Sequence, residues 1–307
     1  MRAWIIAAAL LLPFPHPAVP ALIETEQAGV STIRVNFAIV AEDSAATIDD
    51  RVSVFAIFGG PTTPEVRTAA RSSFTGELAA NVRMDDKSEF SFTPVETISS
   101  ATLIVHVAPD SVFVRRAELD FFLPPSFLEV TSNAELPGNA LEMSILADLR
   151  VCFATFCGGG DSQFNFQSRL TASWLSFTEF SSATGNASLD LTPLQNPTVT
   201  EVSGPLDFLR TVTLDFPAFQ GHLDLGLIPP GLPLRVEYQM QARGEGVLAH
   251  NIGLSAINDP FLLSTDPVSP GVAMTLALGP PTTVPGPATL ILLMAGLGVT
   301  AARIRRR

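Results

Sequence analysis

The sequence predicts an all-β chain, an antiparallel β-sandwich of the jelly-roll or immunoglobulin-like kind with an N-terminal signal peptide and a single apolar C-terminal helix. Three observations carry this reading. Apolar and polar residues alternate with period two along much of the chain, as half-buried strands require. The 21 Phe residues, together with many Val and Ile, fit pleated surfaces better than helix faces. The 25 Pro residues interrupt the chain at intervals too short for repeated βαβ units. No fixed-period repeat is visible, which speaks against a propeller or solenoid.

Taken in order, the body opens with Ile33, Val35, Phe37 and Ile39 alternating with Arg34, Asn36 and Ala38. Val52, Val54 and Ala56 repeat the pattern before Gly59-Gly60-Pro61, and Phe90 and Phe92 do so before Pro94. The run Thr68 to Val82 is the most helix-compatible piece and reads equally well as a long loop. Leu103, Val105 and Val107 form a strand stopped by Pro109-Asp110, and Val112 and Val114 are expected to pair with the segment reaching Leu119 to Leu123 before Pro124-Pro125. Met143 to Phe153, then Gly158-Gly159-Gly160, then Phe164, Phe166, Leu170, Ala172 and Trp174 read as a hairpin whose first strand ends near Cys152. Further strands follow at Leu209 to Asp215, Leu234 to Met240 and Ile252 to Ala256. Pro260, Pro267, Pro270, Pro280 and Pro281 thin the pattern, so the sandwich is assigned to 22–265 and a Pro/Thr-rich linker to 266–283.

The first segment, 1–21, reads as a secretory signal peptide. Arg2 precedes the apolar run Ala3 to Leu12, prolines end it, and Ala18-Val19-Pro20-Ala21 places small residues for cleavage after Ala21. The formal net charge is -12, and Arg2, Arg303, Arg305, Arg306 and Arg307 all lie in the terminal segments, so the body between them is more acidic still. Such a body repels phosphate backbones, which excludes nucleic acid as a partner. Cys152 and Cys157 are the only 2 cysteines, and their C-x4-C spacing in an exported chain suits a short disulfide loop. A metal site is the rival reading, but no second Cys or His pair stands at ligand spacing.

Motifs that would carry catalysis or call for a cofactor are missing from the pattern. His106 sits on the face opposite Leu103, Val105 and Val107 and reads as a solvent-facing strand histidine; His222 and His250 belong to no H-x-H or H-E-x-x-H arrangement. No serine stands in a G-x-S-x-G elbow. Glu118, Asp120, Glu129, Glu179, Asp215 and Glu237 offer carboxylates of the kind glycoside hydrolysis uses, with nothing to select two of them. Asp49-Asp50, Asp85-Asp86 and Asp161 read as solvated loop acids without the spacing of a calcium loop. Trp174 and Tyr238 could stack on a sugar ring, but both sit in alternating strands where they serve a core.

The segment 284–307 has three parts in strict order: Val284-Pro285-Gly286-Pro287, an apolar stretch Ala288 to Ala302, and a basic end of Arg303, Arg305, Arg306 and Arg307. At ~1.5 Å per residue that stretch spans roughly 22 Å against a hydrocarbon core of about 30 Å, a short anchor. The basic end should stay cytoplasmic, placing the β body outside. Here the chain resembles the PEP-CTERM family of secreted bacterial proteins. Pro285 and Pro287 match the two prolines of its motif, Ala288-Thr289-Leu290 the start of its helix, and Arg303 to Arg307 its basic end; Gly286 stands where the family usually has Glu.

The resemblance covers less than a tenth of the chain. It implies export across the inner membrane, recognition by an exosortase-type membrane enzyme, and release to the cell envelope or matrix. A structural or adhesive, non-enzymatic role in exopolysaccharide or biofilm is the resulting expectation. The alternatives are a carbohydrate-binding or carbohydrate-active sandwich delivered to the same place, and a bitopic protein that keeps its tail in the membrane.

Overall fold

A computed structural model describes residues 23–35, 38–45, 50–57, 65–72, 78–85, 93–109, 113–133, 140–173, 176–203, 209–248, 251–257 and 273–283. The two longest strands set the frame. Along β6 (Thr93–Val107) and β16 (Leu234–Leu248), buried Leu103, Val105 and Val107 face the same way as buried Val236, Tyr238 and Met240. The two pair antiparallel from Val107 opposite Leu234 to Thr93 opposite Leu248 without a slip. β1 (Ile23–Val35) and β2 (Ala38–Ala45) extend this sheet on one side; β10 (Ala140–Cys152), β11 (Ser162–Ser173) and β12 (Ser176–Gly185) extend it on the other. The result is a 7-stranded antiparallel sheet I of order β12-β11-β10-β16-β6-β1-β2.

Sheet II, also 7-stranded, runs in the order of β13 (Thr198–Ser203), β14 (Leu209–Phe216), β9 (Ser126–Asn133), β17 (Ile252–Ile257), β5 (Leu78–Asp85), β4 (Glu65–Ser72) and β3 (Asp50–Ile57). It lies against sheet I with the strands in step: β2 on β3, β6 on β4 and β5, β16 on β5 and β17, and β11 on β9. This is an antiparallel sandwich, in which strands such as β8 (Arg116–Leu123) and β11 bury one side chain in two. A single-turn helix α1 (Thr192–Gln195) links β12 to β13, with Leu194 buried beneath it. No helix among the described residues is long and apolar enough to cross a membrane.

A third sheet, β15 (Phe219–Leu227), β8 (Arg116–Leu123) and β18 (Met274–Leu278), continues sheet II. Only Pro217 and Ala218 separate β14 from β15, and only Pro124 and Pro125 separate β8 from β9. Pairing stays in step across the gap, with Phe216 opposite Ser126 and Phe219 opposite Leu123. Proline brings no N–H, so the ladder lapses at this level while the register carries through. β7 (Phe113–Val114) pairs with β19 (Thr282–Thr283) as a short flap beside it.

The interior changes character along its length. Where sheet III joins, Phe121 lies 4.9 Å from Phe164 and 5.9 Å from Tyr238, and Phe164 stacks on Phe219 at 5.4 Å. The Tyr238 hydroxyl donates to the Phe122 carbonyl at 3.2 Å, and full burial pushes its pKa far above the ordinary phenol value. Opposite this aromatic cluster the inner faces are small and hydroxylic. Ser99 donates to the carbonyl of Ala69, Thr68 to that of Ile98 at 3.3 Å and Ser255 to that of Arg243 at 3.3 Å, each bond crossing from one sheet to the other. A hydroxyl reaches a facing backbone only where the sheets come well inside the ~10 Å spacing set by large side chains. Ala69, Ala70, Ala80, Ala101, Ala242 and Gly244 line this thin end.

Four expectations are corrected. Thr68 to Val82 holds neither a helix nor one long loop: it contributes β4 and β5, and its alanines are there because the thin end admits only small side chains. Val114 pairs with Thr282, not with the Leu119–Leu123 segment, which is instead held between β15 and β18. Pro94 does not stop a strand; it is the second residue of β6, opposite Val247, at a strand start where a missing N–H is tolerated. The stretch read as linker supplies β18 and β19, which the prolines flank without preventing. Phe37, Phe90, Phe92 and Val112 lie outside the described residues.

Gly221 sits opposite Phe121, and a Cβ there would come within 2.2 Å of the Phe121 ring. Gly221→Ala is therefore expected to displace Phe121 from its cluster and lower the unfolding free energy by about 1–3 kcal/mol in a denaturant titration. Gly159→Ala, where no atom lies within 4 Å of the new Cβ, should leave it within about 0.5 kcal/mol.

Candidate functional site

Strand parity puts a polar surface on the outside of sheet I. Because Val236, Tyr238, Met240 and Ala242 face the core, Arg235, Glu237, Gln239, Gln241 and Arg243 face away from it. Cross-strand register then builds rows: Gln239 stands between Thr102 and Asp148, and Gln241 between Ser100 and Leu146. Gln239 Nε2 donates to Ser100 Oγ at 2.9 Å. The Asp148 carboxylate, although buried, accepts from Arg150 Nε at 2.6 Å, Ser162 Oγ at 2.9 Å and Asn165 Nδ2 at 3.3 Å, which offsets its desolvation.

The charges on this face neutralise one another. Arg243 bridges Glu96 at 3.0 Å and Glu245 at 2.6 Å, and Arg34 holds Glu96 from the other side at 3.2 Å. Arg169 meets Glu142 at 3.7 Å. What remains between the ion pairs is a strip of amide and hydroxyl groups with a few aliphatic side chains.

At one end of the strip the chain closes a small loop. Cys152, the last residue of β10, is joined to Cys157 by a disulfide, with S–S 2.12 Å and Cα–Cα 5.5 Å. The loop projects Phe156, 79% exposed, while the Arg235 guanidinium lies 5.6 Å from the centre of its ring. Arg235 donates to Glu237 and, at 2.8 Å, to His106 Nε2. A guanidinium only donates, so Nε2 is the acceptor in this contact. Glu26 lies 3.6 Å from the same His106 nitrogen. The Phe156 ring thus has a hydrogen-bonded guanidinium against it and is otherwise largely exposed.

The sulfurs of Cys152 and Cys157 and the carboxylate of Asp161 lie within 4.8 Å of one another, a spacing that could suggest metal ligands. With the sulfurs bonded to each other neither offers the thiolate that a metal needs. Asp161 accepts from the Gly158 amide at 2.6 Å and closes the following turn.

A second charged cluster lies on the outer face of sheet III. His222 Nδ1 and Asp120 Oδ1 are 2.8 Å apart, and Arg116 Nε donates to Asp224 Oδ1 at 3.2 Å beside Glu118. The bond to Asp120 raises the His222 pKa above that of a free histidine, with smaller contributions from the charges of Asp120, Glu118 and Asp224. Arg116, followed by the Gly226 amide, lowers that of Asp224. Gly226, with φ of 72°, supplies the left-handed turn of the bulge that aims its N–H at Asp224.

The remaining residues singled out in the sequence scatter. Glu237 and Glu129 occupy opposite outer faces of the sandwich; Glu129 faces Thr213 at 3.4 Å. Asp215 and Glu179 are exposed on β14 and β12, in different sheets. Asp85 is not a solvated loop acid but a buried strand residue held by Arg83 at 3.2 Å, because β5 runs on to include it. His106 faces outward yet is committed to Arg235, and Tyr238 belongs to the core. Ala21, Trp174, His250, Asp49, Asp86, the motif Val284 to Pro287 and the basic end Arg303 to Arg307 lie outside the described residues. Phe156 and Arg235 escaped the sequence reading; the one signal for Phe156 was its enclosure by the two cysteines.

An NMR titration of His222 should show a midpoint above the 6.5 of a free histidine, and Asp120→Asn should bring it back toward that value. The sign follows from the raised pKa: the pair favours the folded state below pH 6.5, and this contribution fades as pH rises through the folded midpoint. A midpoint at or below 6.5 in the native chain would contradict the pairing. Compared with family models and with curated proteins, the chain finds no match among either.

Proposed function

We propose that this chain is an exported protein of the bacterial cell envelope or extracellular matrix, sorted through its PEP-CTERM-like tail, with a non-enzymatic structural or adhesive role in exopolysaccharide or biofilm. In this reading a signal peptide ends at Ala21, a jelly-roll or immunoglobulin-like sandwich forms the body, and an exosortase-type enzyme acts on the tail while its apolar helix is in the membrane. The observation that carries export is the Cys152–Cys157 disulfide, which joins the only 2 cysteines of the sequence and belongs to an oxidising compartment. The three parts of the tail sequence, Val284 to Pro287, the apolar stretch and the basic end, support the destination. An acidic sandwich with ion-paired rows on the outer face of sheet I supports a role in packing and hydration within a polymer.

One observation favours a second reading, carbohydrate binding. Phe156 beside a strip of amide and hydroxyl groups offers an apolar ring for sugar C–H faces and donors and acceptors for sugar hydroxyls.

Mass spectrometry of the protein recovered from its host surface should give an N-terminus at Leu22 and a C-terminus close to Pro287, and Gly286→Glu should speed processing. Recovery of intact Arg307 in the membrane fraction would instead identify a bitopic protein that keeps its tail. For the second reading, Phe156→Ala should weaken retention of the chain in gels containing the host exopolysaccharide by about tenfold, or ~1.4 kcal/mol. Unchanged retention would remove carbohydrate recognition by this strip.

A further inference from the structure

β13 is the outermost described strand of sheet II, paired with β14 on one side only. Every one of its 6 residues, Thr198 to Ser203, is exposed, so neither face is covered. Val199 is 49% and Val202 58% exposed, unusual for valines in an ordered strand. Its sequence, TVTEVS, is strongly β-forming and has no proline, no lysine and no glycine bulge to guard a free edge; its one charge is Glu201. On the opposite side of the sandwich, β2 carries Glu42 and Asp43, and β3 opens with Asp50 and Arg51.

We propose that β13 is a self-association edge, at which two copies of this chain pair antiparallel and extend sheet II from one molecule into the next. Charge selects this edge for a second copy. Two bodies of a protein with net charge -12 repel each other over most of their surface. β13 has one charged residue, Glu201, which already accepts from Arg210 Nε at 2.9 Å on the neighbouring strand. Two copies therefore meet here with little repulsion, and edge N–H and C=O groups that no other described strand pairs gain partners.

Register supports the same occupant. A two-fold axis perpendicular to the sheet keeps residues of like face opposite each other when it passes through Thr200. Thr198 then meets the second copy's Val202, and Val199 meets the second copy's Glu201, whose charge Arg210 holds. Centring the axis on Glu201 would put like charges opposite, so the sequence itself disfavours that slip. This inference does not depend on where the tail sends the chain.

Sedimentation of the full chain over a wide concentration range should show a reversible monomer–dimer equilibrium. Val202→Lys should raise the dimer dissociation constant by about tenfold or more while leaving the thermal transition in place, since the side chain is already exposed. Thr200→Cys, at the axis, should give a covalent dimer on mild oxidation. A native chain that stays monomeric, a dimer indifferent to Val202→Lys, or the absence of a cross-link at position 200 would each overturn the proposal.

Discussion

The pairing of β6 with β16 is the constraint on which the rest of the molecule depends. Fifteen residues of each strand are held in one register, and strand side chains alternate with period two, so this one alignment decides what faces in and what faces out. A slip by one residue would drive Arg235, Glu237 and Arg243 into the core and turn Val236, Tyr238 and Met240 to solvent. The penalty for burying unpaired charges makes the alternative inaccessible. Both neighbours, β1 and β10, inherit their registers from this pair, and the polar strip, the ion-pair rows and the seat of Phe156 inherit theirs from those.

Within that frame the two ends of the interior solve different packing problems. The aromatic end separates the sheets with rings and spans the joint at Pro124, Pro125 and Pro217 without losing register. The thin end draws the sheets together with hydroxyl-to-carbonyl bonds, and its alanines and glycines are the geometric requirement for that approach. The sandwich is therefore wedge-shaped inside, and side-chain volume at one end is matched to that at the other through rigid strands.

Strand existence was legible where alternation was strong, as at Leu103–Val107, Met143–Cys152, Leu209–Asp215 and Leu234–Met240. Strand ends were not: Ile33 to Ile39 alternates like one strand, yet β1 ends at Val35 and β2, from Ala38, pairs back on it. Pairing was legible only where strands follow one another closely, as in the β10–β11 hairpin. The partner of Leu119–Leu123 lies about a hundred residues away in β15, and nothing local announces it. Thr68–Val82 misled because alanine favours helices in isolation, whereas here tertiary packing demands small side chains and overrides the preference. At the site, the cysteine spacing pointed to the loop, but Arg235 and His106 come to it from other strands, and their meeting with Phe156 is a product of register alone.

The order in which these contacts can form carries a consequence for the chain's life before it is folded. β6 is complete by residue 107, but its central partner does not begin until residue 234, and β17, which completes sheet II, ends at residue 257. A chain emerging from the ribosome thus lacks the middle of both layers until most of it has been made, and until then its early strands can pair only within the flanks β6-β1-β2 and β5-β4-β3. Such a topology delays the closing of the core, leaving a long interval in which the polypeptide can still be threaded as an extended string.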